Sequence, residues 1–212
     1  MRKHSAYVVI FEGIDACGKT TLSKEFHDHL KSYKNQFRRF TSYINLNDVI
    51  NFPDYTSVAG EIIRTLINKE LDQDLRKVLA AAFALDRMIY SYPETYNSND
   101  MLILNRYYPS NFAYNYELDL KFLMNLEHKS FVGNEVFILD IDPKTSFERR
   151  PDRRDNYEKD LEYLGKVRKR YLELAHKFGW KVLNGNDKPD NLLQEVIDAV
   201  INSNDGLNII NV

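Results

Sequence analysis

Short uncharged runs of hydrophobic residues alternate along this chain with longer segments in which apolar positions recur every three to four residues. The short runs are typical of strands buried in a parallel sheet, and the longer spacing is typical of amphipathic helices. The segment 36–44 is mixed in polarity, which favours a position near the sheet edge. The predicted strands span 7–11, 36–44, 101–104, 136–142 and 180–183. Strands that alternate with helices predict an α/β fold in which helices cover both faces of a parallel sheet.

Helix boundaries follow from breakers and periodicity. Pro53 begins a loop, after which Ile62, Ile63, Leu66 and Ile67 fit a helical period. A further helix begins near Pro143, since proline is favoured at the first helical position. The other predicted helices span about 20–33, 74–92, 155–178 and 190–201. Phe83 and Arg87 are four residues apart in the second of these, so they share one helix face.

The segment 13–20 contains the first candidate chemistry, because it matches the pattern G-x-x-x-x-G-K-[ST] in full. In this pattern glycines let the backbone curl so that its N–H groups point at phosphate oxygens. A lysine reaches the outer phosphates, and a hydroxyl is offered to Mg²⁺. The flanking strand and helix that the motif requires are both predicted. We therefore predict a phosphate site formed by Gly13, Ala16, Cys17, Gly18, Lys19, Thr20 and Thr21, with Thr20 as the Mg²⁺ ligand.

Composition restricts the class of protein. The chain has 212 residues and 43% hydrophobic content, which suits one domain spanning 1–212. With 29 basic and 31 acidic residues, the net charge of −2 provides no overall field to recruit nucleic acid or an anionic membrane. Cys17 is the single cysteine, which excludes an internal disulfide and favours a reducing compartment. No signal peptide or membrane span is apparent, and we expect a cytoplasmic protein.

The ordered set of motifs resembles the thymidylate kinase family, within the P-loop nucleoside monophosphate kinase group. The motifs that carry this resemblance are FEGIDACGKTTL at 11–22, FPDYTSVAG at 52–60, FALDRM at 83–88, NRYYPSNFAY at 105–114, LDIDP at 139–143 and RRPDRRDNYE at 149–158. The resemblance implies a five-stranded parallel sheet and a homodimer. It also implies transfer of the γ-phosphoryl group of ATP to dTMP, with Mg²⁺ as cofactor.

The resemblance also implies roles for residues on the acceptor side. Asp15 would accept a hydrogen bond from the sugar 3′-hydroxyl, and Phe83 would stack on thymine. Arg87 would donate to a base carbonyl, because an arginine on an otherwise apolar face needs a partner. Arg106 would bridge the acceptor and transferred phosphates. Phe52, Ser110 and Tyr114 would line the same site.

The arginine-rich segment 149–158 resembles the lid that closes over ATP in this family. Many members have a basic residue in the phosphate loop directly after the aspartate, where this chain has Ala16. The lid must then supply the positive charge for the transition state, in which one arginine can be worth ~10³-fold in rate. Arg153 is the first candidate, with Arg150 or Arg154 as alternatives, and Arg149 would face the adenine.

Two positions differ from the family pattern. Tyr55 replaces an arginine that grips the acceptor phosphate, and Asn105 replaces an aspartate near the Mg²⁺ water shell. Three other functions therefore remain open from the sequence. These are a kinase for another or modified deoxynucleoside monophosphate, a deoxynucleoside kinase in which Asp54 acts as base, and a nucleotide-binding module without turnover.

Overall fold

The computed structural model describes residues 6–36, 45–70, 72–91, 96, 100–149 and 161–203. Its strands are β1 (Tyr7–Glu12), β2 (Asn45–Leu46), β3 (Ile50–Asn51), β4 (Asp100–Asn105), β5 (Glu135–Asp140) and β6 (Lys181–Asn184). Its helices are α1 (Lys19–Gln36), α2 (Val58–Leu66), α3 (Gln73–Ser91), α4 (Tyr108–Tyr114), α5 (Leu120–Leu126), α6 (Pro143–Arg149), α7 (Leu161–Phe178) and α8 (Pro189–Asn202).

The strands form one parallel sheet in the order β2, β4, β1, β5 and β6, and β3 also pairs with β4. β2 and β3 lie on the same side of β4, where they pair with its two ends, so the edge is divided into two short strands. The predicted α/β class, with a parallel sheet flanked by helices, is thereby confirmed. Every residue of β1 and β4 is buried, as continuous apolar runs predict for central strands.

Local sequence sets several helix ends. Ser57 caps α2 by accepting a hydrogen bond from the backbone N–H of Gly60, and Asp119 caps α5 in the same way through Phe122. Pro189 stands at the start of α8, and Gly179 follows α7 with a φ of 71°. A left-handed residue after a helix is commonly glycine, because glycine has no Cβ to clash.

Some predicted boundaries were wrong. α1 continues to Gln36, so the strand predicted for 36–44 does not begin there, and residues 37–44 lie outside the described part. β5 ends at Asp140 rather than 142, and the carboxylates of Asp140 and Asp142 both pair with Arg168. Helices α4 and α5 were not predicted, since each has only seven residues and shows little periodicity. For the predicted helix 155–178, only the part from Leu161 onward is described.

In the parallel arrangement the carboxyl ends of β1, β4, β5 and β6 lie together at one end of the sheet. Ligands of α/β proteins bind at this carboxyl-terminal end. Within the described ranges, no helix is long and apolar enough to cross a membrane.

Candidate active site

The loop after β1 has the backbone that its glycines predict. Gly13 and Gly18 have φ values of 136° and 104°, and Ala16 is left-handed at 55°. A Cβ on Gly13 would lie 2.5 Å from the carbonyl oxygen of Leu139, so this position requires glycine. Lys19 is buried, and its ammonium donates to the carbonyl oxygens of Gly13 (3.0 Å) and Ile14 (2.7 Å). The positive charge is therefore held inside the loop where the motif expects phosphate.

Thr20 and Thr21 lie in the first turn of α1 and are exposed, whereas Cys17 is buried, 3.4 Å from the Lys19 ammonium. The hydroxyl of Thr20 accepts a hydrogen bond from the side-chain amide of Asn105 (3.0 Å), which also donates to Asn51 (2.7 Å). The amide oxygen of Asn105 is buried and has no hydrogen-bond partner in the described part of the chain. Asn105 therefore fixes the hydroxyl of Thr20 beside the phosphate loop through its amide nitrogen.

Arg106 lies directly after β4 and forms the centre of a polar cluster. Its guanidinium makes an ion pair with Asp15 and contacts the Tyr114 hydroxyl (3.4 Å), which in turn donates to Asp15 (3.1 Å). Burial alone would lower the pKa of Arg106, but Tyr114, Tyr171 and the charge of Glu12 outweigh burial and raise it. The structure therefore brings together Asp15, Arg106 and Tyr114, three residues predicted for the acceptor side, and keeps the arginine charged.

Ser110 has a different environment from the predicted one. Its hydroxyl donates to Glu12 (2.7 Å) and contacts Tyr171 (3.0 Å), so these hydrogen bonds tie it to the interior. Phe52 is also buried, and its ring packs on those of Tyr90 and Tyr107. The lining role of both side chains stays a prediction without a contact that supports it.

The expectation that Phe83 and Arg87 face one pocket receives no support from their contacts. Phe83 is partly buried and packs on Ile63 and its neighbours between α2 and α3. Arg87 is fully buried and makes a two-pronged ion pair with Glu127, which is itself 0% exposed. Burial would lower the pKa of Arg87, but Glu127 outweighs burial and raises it. Arg87 therefore has Glu127 as its partner. The need of a buried arginine for a partner no longer supports a contact between Arg87 and a base.

The loop that contains Tyr55 is fastened to α3 by a residue that sequence reasoning did not select. Asp86 is buried and accepts hydrogen bonds from the backbone N–H of Asp54 (2.8 Å) and the hydroxyl of Ser57 (2.6 Å). Tyr55 itself is 39% exposed, and the guanidinium of Arg64 lies 5.4 Å from its ring centroid. A cation is therefore present next to the position where the family pattern has one.

Arg149 ends α6 and donates to the carbonyl oxygen of Gly185 (3.1 Å) and the side chain of Asn186 (3.1 Å). A Cβ on Gly185 would lie 3.3 Å from the carbonyl oxygen of Cys17, so this loop borders the phosphate loop. The lid candidates Arg150, Arg153 and Arg154 lie outside the described residues.

Sequence reasoning also missed Glu12, Asp86 and Glu127, three buried carboxylates around the site. Glu12 and Asp86 each stand inside a quoted motif, and a charged residue next to an apolar run was the available indication. Glu127 is separated from its partner Arg87 by 40 positions, so no local pattern could identify the pair.

Comparisons with known proteins agree with this geometry. A protein-family model described as thymidylate kinase matches residues 11–196. A "Probable thymidylate kinase" of Methanothermobacter thermautotrophicus is 31% identical over 196 residues, covering 91% of this chain and 93% of the relative. One from Sulfurisphaera tokodaii is 28% identical, covering 91% and 94%. The solved thymidylate kinase of Candida albicans has a TM-score of 0.69 at 17% identity, covering 95% of this chain and 93% of that one, which shows a shared fold.

Proposed function

Because this chain belongs to the thymidylate kinase family, we propose that it transfers the γ-phosphoryl group of ATP to dTMP, giving dTDP and ADP. The observation that carries the proposal is the cluster of Asp15, Arg106 and Tyr114, which lies at the carboxyl-terminal end of the sheet beside the phosphate loop. A carboxylate suits a sugar hydroxyl, and a guanidinium suits a phosphate. The two groups therefore match the two ends of a nucleoside monophosphate other than its base.

In the proposed reaction Lys19 turns from the loop carbonyls to the outer phosphates of ATP and neutralises the charge that develops there. Arg106 holds the acceptor phosphate and, by leaving its pair with Asp15, frees that carboxylate for the 3′-hydroxyl. A monophosphate acceptor is already an anion, so it needs no strong base. Positioning and charge stabilisation are then sufficient for transfer.

We also propose Mg²⁺ as cofactor, because the residues present suit it. Thr20 offers an exposed hydroxyl, to which the side-chain amide nitrogen of Asn105 donates. Mg²⁺ prefers oxygen ligands and usually keeps several waters, so Thr20 would ligate the ion and Asn105 would orient the Thr20 hydroxyl. When bound, the ion neutralises phosphate charge. Arg153, or Arg150 or Arg154, is proposed to supply further positive charge from the segment 149–158.

Radioactive phosphate transfer from ATP, measured side by side on dTMP, dUMP, dGMP, a 5-substituted deoxyuridylate and thymidine, tests the function. We expect dTMP to give the highest kcat/KM and thymidine to give no product, because thymidine has no phosphate for Arg106 to hold. Product from thymidine would indicate a deoxynucleoside kinase. A higher kcat/KM for another monophosphate would show that dTMP is not the preferred acceptor. No transfer to any acceptor would contradict the proposal.

We further propose a cytoplasmic homodimer, and an apolar face supports the dimer. Val78, Leu85 and Ile89 are 40–51% exposed along one stripe of α3, and Val58 and Ile62 are exposed on the adjacent α2. Exposed apolar residues in such a group mark association surfaces. Sedimentation should give twice the 25.0 kDa chain mass. Leu85→Asp should give a monomer, whereas the control Val182→Asp, at an exposed position of β6, should leave the dimer intact.

A further inference from the structure

Glu12 is a buried carboxylate, 0% exposed, at the end of β1 and directly before the phosphate loop. One of its oxygens accepts hydrogen bonds from the backbone N–H groups of Tyr107 (2.6 Å) and Ser110 (3.2 Å). The other accepts from the hydroxyls of Ser110 (2.7 Å) and Tyr171 (2.9 Å). These donors are all neutral, and three of the four hydrogen bonds come from Tyr107 and Ser110, in the turn that follows β4 and begins α4.

Glu127, another buried carboxylate of the region, is compensated in a different way. Glu127 is paired with Arg87, so its charge is compensated by a cation. Burying a charge is costly unless hydrogen bonds or a counter-charge compensate it. Among the described residues Glu12 makes no direct ion pair: the charges of Arg87 and Arg106 act on it only without contact, and most of its hydrogen bonds fix one short backbone segment. Hydrogen bonds to a carboxylate are about twice as strong as hydrogen bonds between neutral groups. Glu12 therefore holds the segment of Tyr107 and Ser110 more firmly than a neutral side chain would.

The segment that Glu12 holds contains an unfavourable backbone conformation. Arg106 has a φ of 60°, in the left-handed region that residues with side chains rarely adopt. Its own N–H donates to the carbonyl oxygen of Phe11 (3.0 Å), and the next N–H, that of Tyr107, donates to Glu12. Such conformations persist only where the surroundings hold them in place. The last two residues of β1 thus fix the backbone at Arg106 and directly after it.

We propose that Glu12 is a positioning residue, which keeps Arg106 left-handed and thereby aims its guanidinium at the phosphate of the acceptor. The side chain leaves the backbone in the direction that this conformation sets, toward Asp15 and Tyr114. Glu12 makes no hydrogen bond to the side chains of Asp15, Arg106 or Tyr114. It acts on Arg106 through the backbone of the turn. The direction toward a nucleotide phosphate rests on the function proposed above, whereas the control of the backbone of Arg106 does not.

Kinetic constants of Glu12→Gln provide the first test. The amide keeps the size of the side chain but replaces charge-assisted hydrogen bonds by weaker neutral ones. We expect kcat/KM for dTMP to fall by ~10-fold and the KM for ATP to stay unchanged, because a small displacement of a substrate-positioning group is costly. Glu135→Gln is the matched control: Glu135 is also a buried carboxylate, but it pairs with Lys181 at the start of β5, and its variant should leave both constants unchanged.

A double-mutant cycle with Arg106→Ala separates positioning from a general structural role. If Glu12 acts through Arg106, Glu12→Gln weakens dTMP binding in the parent protein and has no further effect when Arg106 is alanine. A loss of equal size in both backgrounds, a matching loss in ATP binding, or unchanged dTMP binding in the single variant would overturn the proposal.

A crystal structure of Glu12→Ala provides a readout that needs no substrate. Without the carboxylate, the φ of Arg106 should become negative and its pair with Asp15 should be lost. A retained left-handed Arg106 would overturn the inference, even if the wild-type protein phosphorylates dTMP. If the φ of Arg106 becomes negative in Glu12→Ala but the wild-type protein transfers no phosphate to dTMP, only the proposed function is contradicted. If Glu12→Ala does not fold, the kinetics and the binding cycle of Glu12→Gln decide.

Discussion

At the scale of single residues, Lys19 is the side chain on which the proposed phosphoryl transfer is expected to depend most. Its ammonium is buried against the carbonyl oxygens of Gly13 and Ile14. We expect Lys19→Ala to lower kcat by ~10³-fold or more, since no other group of the loop can neutralise the outer phosphates. A coupled kinase assay measures kcat, and circular dichroism checks the fold. Lys24→Ala, at an exposed position of α1, is the control. Near-normal turnover by Lys19→Ala would exclude the phosphate loop from the mechanism.

Tyr55 is the residue whose replacement tests the departure from the family pattern. A neutral phenol cannot hold a dianionic phosphate as a guanidinium does. We expect Tyr55→Arg to lower the KM for dTMP by ~10-fold at unchanged kcat, for one gained charge-assisted contact. Arg64 lies over this ring and would repel the new cation, so the gain should be larger when Arg64→Ala is combined with it. A fall in kcat/KM would show instead that the phenol itself places the acceptor.

At the scale of elements, the contact between the loop 52–57 and α2 sets a steric requirement. A Cβ on Gly60 would lie 2.0 Å from the carbonyl oxygen of Asp54 and 2.6 Å from the Cα of Tyr55. Gly60→Ala should therefore lower the free energy of unfolding by ~1–3 kcal/mol and raise the KM for dTMP but not for ATP. The clash must exceed the ~1 kcal/mol that alanine gains in a helix.

Gly165 in α7 is the matched control, because a Cβ there meets nothing within 4 Å. Gly165→Ala should raise the free energy of unfolding by ~0.5–1 kcal/mol through helix propensity alone. Urea unfolding of both variants measures the difference. Equal stability of the two variants would mean that the loop moves away from α2 without cost.

At the scale of the whole molecule, buried tyrosines connect stability to alkaline pH. Burial raises the pKa of Tyr107 to about 12, and burial raises the pKa values of Tyr108 and Tyr171 above their ordinary value. An unfolded tyrosine titrates near ~10. Folding therefore favours the neutral phenols, and this contribution is complete below pH ~10 and is lost as the pH rises toward 12.

We expect the free energy of unfolding to fall above pH ~10, by up to ~1.4 kcal/mol per pH unit for each such tyrosine. Urea unfolding from pH 8 to 11.5 measures the slope. Tyr107→Phe should reduce it, whereas Tyr55→Phe, at an exposed tyrosine, should leave it unchanged. A flat profile up to pH 11 would contradict the assignment of these pKa values.

The sequence by itself determined the phosphate loop and the class of fold. A loop such as 13–20 is specified locally, because glycine conformation, a lysine and a hydroxyl at fixed spacing are properties of neighbouring residues. Alternating apolar runs and helical periods likewise require a layered sheet to bury their apolar faces. The predicted ends of α1 and β5 were wrong, because tertiary contacts decide where a helix or strand stops.

Only the tertiary structure decided the partners of the buried charges. Arg87 was assigned to a base because its face is apolar, yet Glu127, 40 positions away, compensates it. The carboxylate of Glu12 is directed to a turn 95 to 98 positions later, and Asp86 fastens a loop 29 to 32 positions earlier. Hydrogen bonds and ion pairs act over a few ångströms in space. The chain order therefore indicates which residues need partners, and the packing of the sheet and helices selects the partners.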